Sequence, residues 1–164
     1  MPLEQTTRLA NVAREPEIAD LARLLNALGA RISGAGTDLI TIVGSDAFGG
    51  TEHVVVSDRI EAGTFLLAGA ATGGDVTVVN AEADHLPNLL EKLRGAGAEI
   101  EVRGTRIRAA APNGLRAADI STAPFPGFAT DLQAQMMAAL TLGRGVSRIK
   151  ENVFENRFMQ AAEL

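Results

Sequence analysis

The sequence predicts a mixed α/β (α+β) chain built from an incomplete series of repeated strand–helix–strand–helix–strand–strand units. Three observations point there. The run Leu25-Asn26-Ala27-Leu28-Gly29-Ala30-Arg31-Ile32 returns as Leu93-Arg94-Gly95-Ala96-Gly97-Ala98-Glu99-Ile100, and the same spacing sets Gly36-Thr37 on Gly104-Thr105. A helix opening at Asp58 resembles one opening at Asp131, each followed by glycines and a Val-bearing strand. Helix-period and β-rich stretches also follow one another in the same order in both copies. The unit spans roughly 70 residues, longer than the usual 20–50-residue repeat.

Pro16 to Gly29 reads as an amphipathic helix, because Ile18, Leu21, Leu24, Leu25 and Leu28 recur at helical spacing. Pro16 suits its first turn and Gly29 its left-handed stop. Arg31–Ser33 and Leu39–Val43 are predicted strands, joined by a turn over Gly34-Ala35-Gly36-Thr37-Asp38. Glu52–Val56 is a β-rich run. Asp58 with Glu61 has capping-box spacing, so a helix is predicted from there to Thr72. Gly73-Gly74 ends it before a strand at Asp75–Val79. Leu86–Gly95 reads as a helix with Asp84 as its cap and Pro87 in its first turn. Strands are predicted at Glu99–Arg103, Thr105–Ala109 and near Ala117–Ser121. The loop Pro124-Phe125-Pro126-Gly127-Phe128 leads to a helix from Leu132 to about Leu142, then a strand at Val146–Lys150 and a last helix from Phe154. The complete unit runs from about Glu52 to about Ala110, with a half unit on either side. The chain therefore reads as a piece of a longer one, and self-association is expected to cover faces such as Phe158 and Met159.

Composition narrows the function classes. The chain has 164 residues, 46% of them hydrophobic, which is enough apolar surface for a folded core. No run approaches the ~20 apolar residues of a membrane-spanning helix, so no membrane partner is expected. Without cysteine there is no disulfide or thiolate chemistry, and the cytoplasm is the default location. The net charge of −5, scattered arginines and the absence of Trp and Tyr argue against nucleic acid. His53 and His85 lie far apart with no carboxylate at metal-ligand spacing, so no metal and no cofactor is expected. Gly34-Ala35-Gly36 precedes no helix and suits a hairpin rather than a phosphate cradle.

Thr130-Asp131-Leu132-Gln133 admits two compatible readings. Thr130 with Gln133 makes a capping box, with Asp131 at the positive end of the helix. Alternatively Asp131, fixed at a helix mouth beside a rigid loop, takes a proton from a bound hydroxyl. Arg157 is either a solvated arginine or a group that clamps an anion or orients Asp131.

Five segments carry a family resemblance in order. They are Ala13-Arg14-Glu15-Pro16-Glu17, Ser33-Gly34-Ala35-Gly36-Thr37-Asp38, Asp58-Arg59-Ile60-Glu61-Ala62-Gly63-Thr64, Phe128-Ala129-Thr130-Asp131-Leu132-Gln133-Ala134-Gln135 and Glu155-Asn156-Arg157-Phe158-Met159. Together they resemble the UDP-N-acetylglucosamine 1-carboxyvinyltransferases, within the enolpyruvyl transferase superfamily. The resemblance implies a two-lobed fold of six βαβαββ units, of the inside-out α/β barrel type. It implies transfer of the enolpyruvyl group of phosphoenolpyruvate to the 3′-hydroxyl of UDP-N-acetylglucosamine, in peptidoglycan synthesis. By motif, Asp131 matches the catalytic aspartate at that hydroxyl and Thr130 its neighbour at the sugar. Val153 matches a position whose backbone touches the nucleotide sugar, and Arg157 an arginine near the aspartate. Asp58 and Arg59 match the segment passing between lobes. Residues 1–56 are then the end of one lobe (a helix plus strands), and 57–164 about one and a half units of the other. Ala129 stands where the family usually has proline. The family's phosphoenolpyruvate-holding Lys-Asn pair and mobile-loop cysteine match nothing in this sequence. The chain alone is therefore expected not to turn over substrate. The other class of reading is a catalytically silent repeat fragment that binds a ligand or a partner chain.

Overall fold

A computed structural model describes residues 5–164. The chain forms two compact units, one reaching to Val56 and one running from Ser57 to Leu164.

In the first unit, β1 (Thr6–Ala10), α1 (Pro16–Ala27), β2 (Arg31–Ser33) and β3 (Leu39–Val43) build a three-stranded antiparallel sheet in the order β1-β3-β2. The sequence reading has no counterpart for β1. All five of its residues are exposed, so it carries no alternating apolar signal and is fixed by its ladder from Thr6↔Val43 to Ala10↔Leu39. α1 starts at Pro16 as predicted, and the Asn26 side chain ties its last turn to β2. That amide accepts from the Ile32 N–H at 2.7 Å and donates to the Ile32 carbonyl at 2.8 Å. Gly29 then turns the chain at φ +114°, where an added Cβ would lie 2.1 Å from the Ala47 carbonyl oxygen.

Glu52–Val56 is not a strand. Among the described residues it has no ladder partner, and Val54 and Val55 are 92% and 72% exposed. The segment is held by a side chain instead. Asp20, buried on α1, accepts from His53 Nε2 at 3.1 Å, from the Val56 N–H at 3.2 Å and from Arg23 Nη2 at 2.9 Å. The hydrogen bond from His53, helped by Val56 and Arg23, outweighs burial and holds the Asp20 carboxyl below its ordinary range.

The second unit begins where Asp58 caps α2 (Arg59–Ala71), its Oδ1 accepting from the Ile60 and Glu61 N–H groups at 2.8 and 3.1 Å. Then come β4 (Asp75–Val78), α3 (Pro87–Gly95), β5 (Glu99–Arg103) and β6 (Arg106–Ala110), with the sheet order β4-β6-β5. This is the topology of the first unit again. Gly97 follows α3 at φ +99° as Gly29 follows α1, so the sequence repeat is a structural one. Arg108 of β6 forks onto Asp75 of β4, both contacts 2.7 Å. α2 packs against β4, β6 and a later helix, α4 (Gln133–Thr141). Leu66, Leu67, Leu93, Ile107, Leu132 and Met136 fill the core between them, all fully buried.

Other sequence expectations also differ from the structure. Asp84 does not cap α3; it lies in a 3-10 turn at Ala83–His85, and Leu86 stands at the N-cap position. The strands at Ala117–Ser121 and Val146–Lys150 contract to β7 (Ile120–Ser121) and β8 (Ile149–Lys150), paired in parallel. Ser147 Oγ accepts from the Ala118 N–H and Asp119 Oδ1 from the Arg148 N–H, where a longer ladder would have used those donors. The helix expected from Phe154 is only a 3-10 turn at Met159–Ala162. Asn156 at φ +56° stops helical propagation before it.

Leu66→Ala should destabilise the second unit by about 2–5 kcal/mol in denaturant unfolding, because the side chain is fully buried. Leu21→Ala on α1, where the leucine is 51% exposed, should change stability by only about 0.5 kcal/mol.

Candidate active site

Parallel pairing of β7 with β8 brings the carboxyl ends of both strands to one edge, where open α/β sheets usually place their ligands. From β7 the chain runs through Thr122 and the 124–129 loop into a 3-10 turn, Thr130–Leu132, and then into α4. From β8 it runs directly into Glu151 and on to Arg157. The loop is pinned from two sides. Asn88 Nδ2 on α3 donates to the Pro126 carbonyl at 2.6 Å, and Arg59 lies 5.8 Å over the Phe125 ring.

Glu151 joins the two strand ends. Its Oε1 accepts from Thr122 Oγ1 at 2.8 Å and from the N–H groups of Val153 at 2.8 Å and Phe154 at 3.2 Å. Its Oε2 accepts from Thr130 Oγ1 at 2.9 Å. Thr122, 1% exposed, in turn accepts from the Asn152 N–H at 2.9 Å. Burial disfavours the charge on Glu151, but the Val153 N–H, the two hydroxyls and the Phe154 N–H outweigh it. The carboxyl is held below the ordinary glutamate range.

Arg157 lies beside this group. Its Nη1 donates to Thr130 Oγ1 at 3.1 Å, its Nη2 to Asp131 Oδ1 at 2.8 Å, and the guanidinium stands 5.2 Å from the centre of the Phe154 ring. Asp131 is 53% exposed, and its second carboxylate oxygen has no hydrogen-bond partner among the described residues.

Thr130, Asp131 and Arg157 therefore form one cluster, and Val153 joins it through Glu151. The capping box does not form. Neither Thr130 nor Gln133 caps the helix: the Thr130 hydroxyl goes to Glu151, while Gln133 is buried and accepts from Gln160 Nε2 at 2.7 Å. Asp131 also differs from its repeat counterpart, since Asp58 spends Oδ1 on two backbone N–H groups and Asp131 spends Oδ1 on a guanidinium. The Asp58–Arg59 segment contributes the α2 cap and the contact to the 124–129 loop. Glu151, Thr122 and Phe154 were not legible from sequence; the one available signal for Glu151 is its place directly after a parallel strand. His53 is engaged with Asp20, and no cluster of three metal-ligating side chains occurs among the described residues.

The family model of EPSP synthase (3-phosphoshikimate 1-carboxyvinyltransferase) matches residues 1–164. The chain belongs to this family. Curated UDP-N-acetylglucosamine 1-carboxyvinyltransferases are similar over nearly all of it. The protein of Anaeromyxobacter sp. (strain Fw109-5) is 55% identical over 161 residues, covering 98% of this chain and 38% of that protein. The protein of Sinorhizobium fredii (strain NBRC 101917 / NGR234) is 54% identical over 160 residues, covering 97% and 37%. The solved enolpyruvyl transferase NikO from Streptomyces tendae matches with a TM-score of 0.84 at 25% identity, over 98% of this chain and 39% of that one. The chain thus spans well under half the length of the relatives it matches, and it carries the enolpyruvyl transferase fold as separate, unclosed sheets.

A carboxyl held below its unfolded value stabilises the fold fully above that value and loses the contribution as pH falls through the folded one. Stability of the second unit should therefore drop on acidification below the ordinary glutamate value of 4.5. Thermal melts of Glu151→Gln should show lower stability at neutral pH and a flatter dependence across that acid range.

Proposed function

We propose that this chain is part of a UDP-N-acetylglucosamine 1-carboxyvinyltransferase and supplies the sugar side of its active site. The full enzyme moves the enolpyruvyl group of phosphoenolpyruvate to the 3′-hydroxyl of UDP-N-acetylglucosamine for peptidoglycan synthesis, in the cytoplasm. Residues 1–56 belong to the end of one lobe, and residues 57–164 form part of the other. The supporting similarity is that of the two curated relatives, whose names state this activity.

The observation that carries the reading is the half-committed carboxylate of Asp131. Arg157 holds Oδ1 and fixes the plane of the group, leaving the other oxygen open at the strand-end edge. A base so oriented can accept a hydrogen bond from a sugar hydroxyl before any chemistry begins, which is what positioned proton transfer requires. As the hydroxyl oxygen bonds to the central carbon of the enolpyruvyl group, its proton passes to Asp131. The methylene carbon takes a proton from an acid elsewhere in the full enzyme, giving a tetrahedral intermediate. Loss of phosphate together with a proton from the methyl group so formed restores the double bond. Thr130 and the Val153 backbone contact the sugar nucleotide, and Arg157 keeps Asp131 in position.

Calorimetric titration of the chain with UDP-N-acetylglucosamine tests this. Binding is expected, weakened about tenfold or more in Asp131→Ala, the range for a lost hydrogen bond to a charged group. Unchanged affinity in that variant, or no heat from the folded wild-type chain at millimolar nucleotide, contradicts the reading.

A further inference from the structure

We infer that Glu151 is a positioning residue for Asp131: through Thr130 and Arg157 it sets the direction in which the aspartate points, although it shares no hydrogen bond with Asp131 among the described residues. The inference rests on the reading of Asp131 given above.

An ionised carboxylate only accepts, and a guanidinium only donates. Between them stands the Thr130 hydroxyl, which owns a single proton. Glu151 Oε2 receives that proton at 2.9 Å, so the hydroxyl's lone pairs are what remain for Arg157 Nη1 at 3.1 Å. The direction of donation is thereby forced: Arg157 to Thr130 to Glu151. With Nη1 committed to Thr130 and Nη2 to Asp131 Oδ1, the guanidinium plane is fixed at two points, and the aspartate follows it.

A local turn cap does not account for this arrangement. Capping Val153 and Phe154 occupies Oε1 only, together with Thr122. Oε2 is the oxygen that reaches 21 residues back along the chain to Thr130. The two oxygens thus have separate duties, one holding the turn after β8 and one orienting the start of the Thr130–Leu132 turn.

Substitution by glutamine separates them. The amide oxygen can replace Oε1 before its three donors, which leaves the amide N–H₂ facing Thr130. A donor then sits where the hydroxyl needs an acceptor, and the chain of donation is broken at that point alone.

Nuclear magnetic resonance on the 15N-labelled chain reads this directly. In Glu151→Gln the Val153 and Phe154 amide signals should stay close to wild type, while the Thr130 methyl signal shifts and the Arg157 side-chain N–H signal loses its protection from exchange. Thr130→Val should give the same loss at Arg157 with the turn intact, and it decides the matter if Glu151→Gln fails to fold. In the wild-type chain, acidification should move the Val153 and Phe154 amide signals and the Thr130 methyl signal together as Glu151 is protonated, below its ordinary value of 4.5. Arg157 and Thr130 signals unchanged in both variants, with the β4–β6 amides at their folded positions, would overturn the proposal. Adding UDP-N-acetylglucosamine to the same samples keeps the two ideas apart. Failure of the nucleotide to perturb Asp131 removes the base reading, whereas the wiring from Glu151 stands or falls on the ligand-free spectra.

Discussion

A hydroxyl has one proton, and in this fold its destination organises the surface that matters. Thr130 gives it to Glu151, so the turn ahead of α4 is secured from β8 rather than from within its own helix. Sequence-adjacent capping would have tied Thr130 and Asp131 to the α4 backbone. Freed from that task, Asp131 pairs with Arg157 through one oxygen and keeps the other open. The equivalent aspartate of the preceding repeat shows the alternative, for Asp58 spends its carboxylate on the first turn of α2. One position in the repeat thus caps a helix in one copy and leaves a carboxylate oxygen open in the other.

The two units share a sheet topology but differ in how they bury apolar surface. In the first, Pro16, Ala22 and Ile40 are the buried apolar side chains among the described residues, and a carboxylate, Asp20, does much of the fastening by gathering His53, Arg23 and Val56. In the second, α2 and α4 contribute leucines and methionine to an apolar core shared with α3 and β6. That core holds β7 and the base of α4 still, and the Glu151 contacts then act over short distances on an already rigid frame.

Much of this was legible in the sequence because it is written in local chemistry. Gly29 and Gly97 mark left-handed helix ends, helical spacing marks α1, Asp58 marks the cap of α2, and Pro87 marks the first turn of α3. Thr130, Asp131, Val153 and Arg157 could be named together from ordered motifs, and the fold brings them together. What was not legible depends on partners distant in sequence. Glu52–Val56 has strand composition, but a strand needs a neighbour, and here the Val56 N–H goes to Asp20. The Thr130–Gln133 pattern fits a capping box until a carboxylate 21 residues away claims the hydroxyl. Glu151 itself belongs to no pattern, since a single glutamate after a short strand looks like any solvated one. The expected last helix is interrupted instead at Asn156, whose left-handed backbone (φ +56°) breaks the helical path.

The central claim is that the open oxygen of Asp131 faces a sugar hydroxyl. A crystal structure of the chain with UDP-N-acetylglucosamine tests it most directly. The account predicts the 3′-hydroxyl oxygen within hydrogen-bond distance of the Asp131 carboxylate, on the oxygen not held by Arg157. A nucleotide sugar seated elsewhere, or one whose 3′-hydroxyl turns away from residue 131, would contradict it.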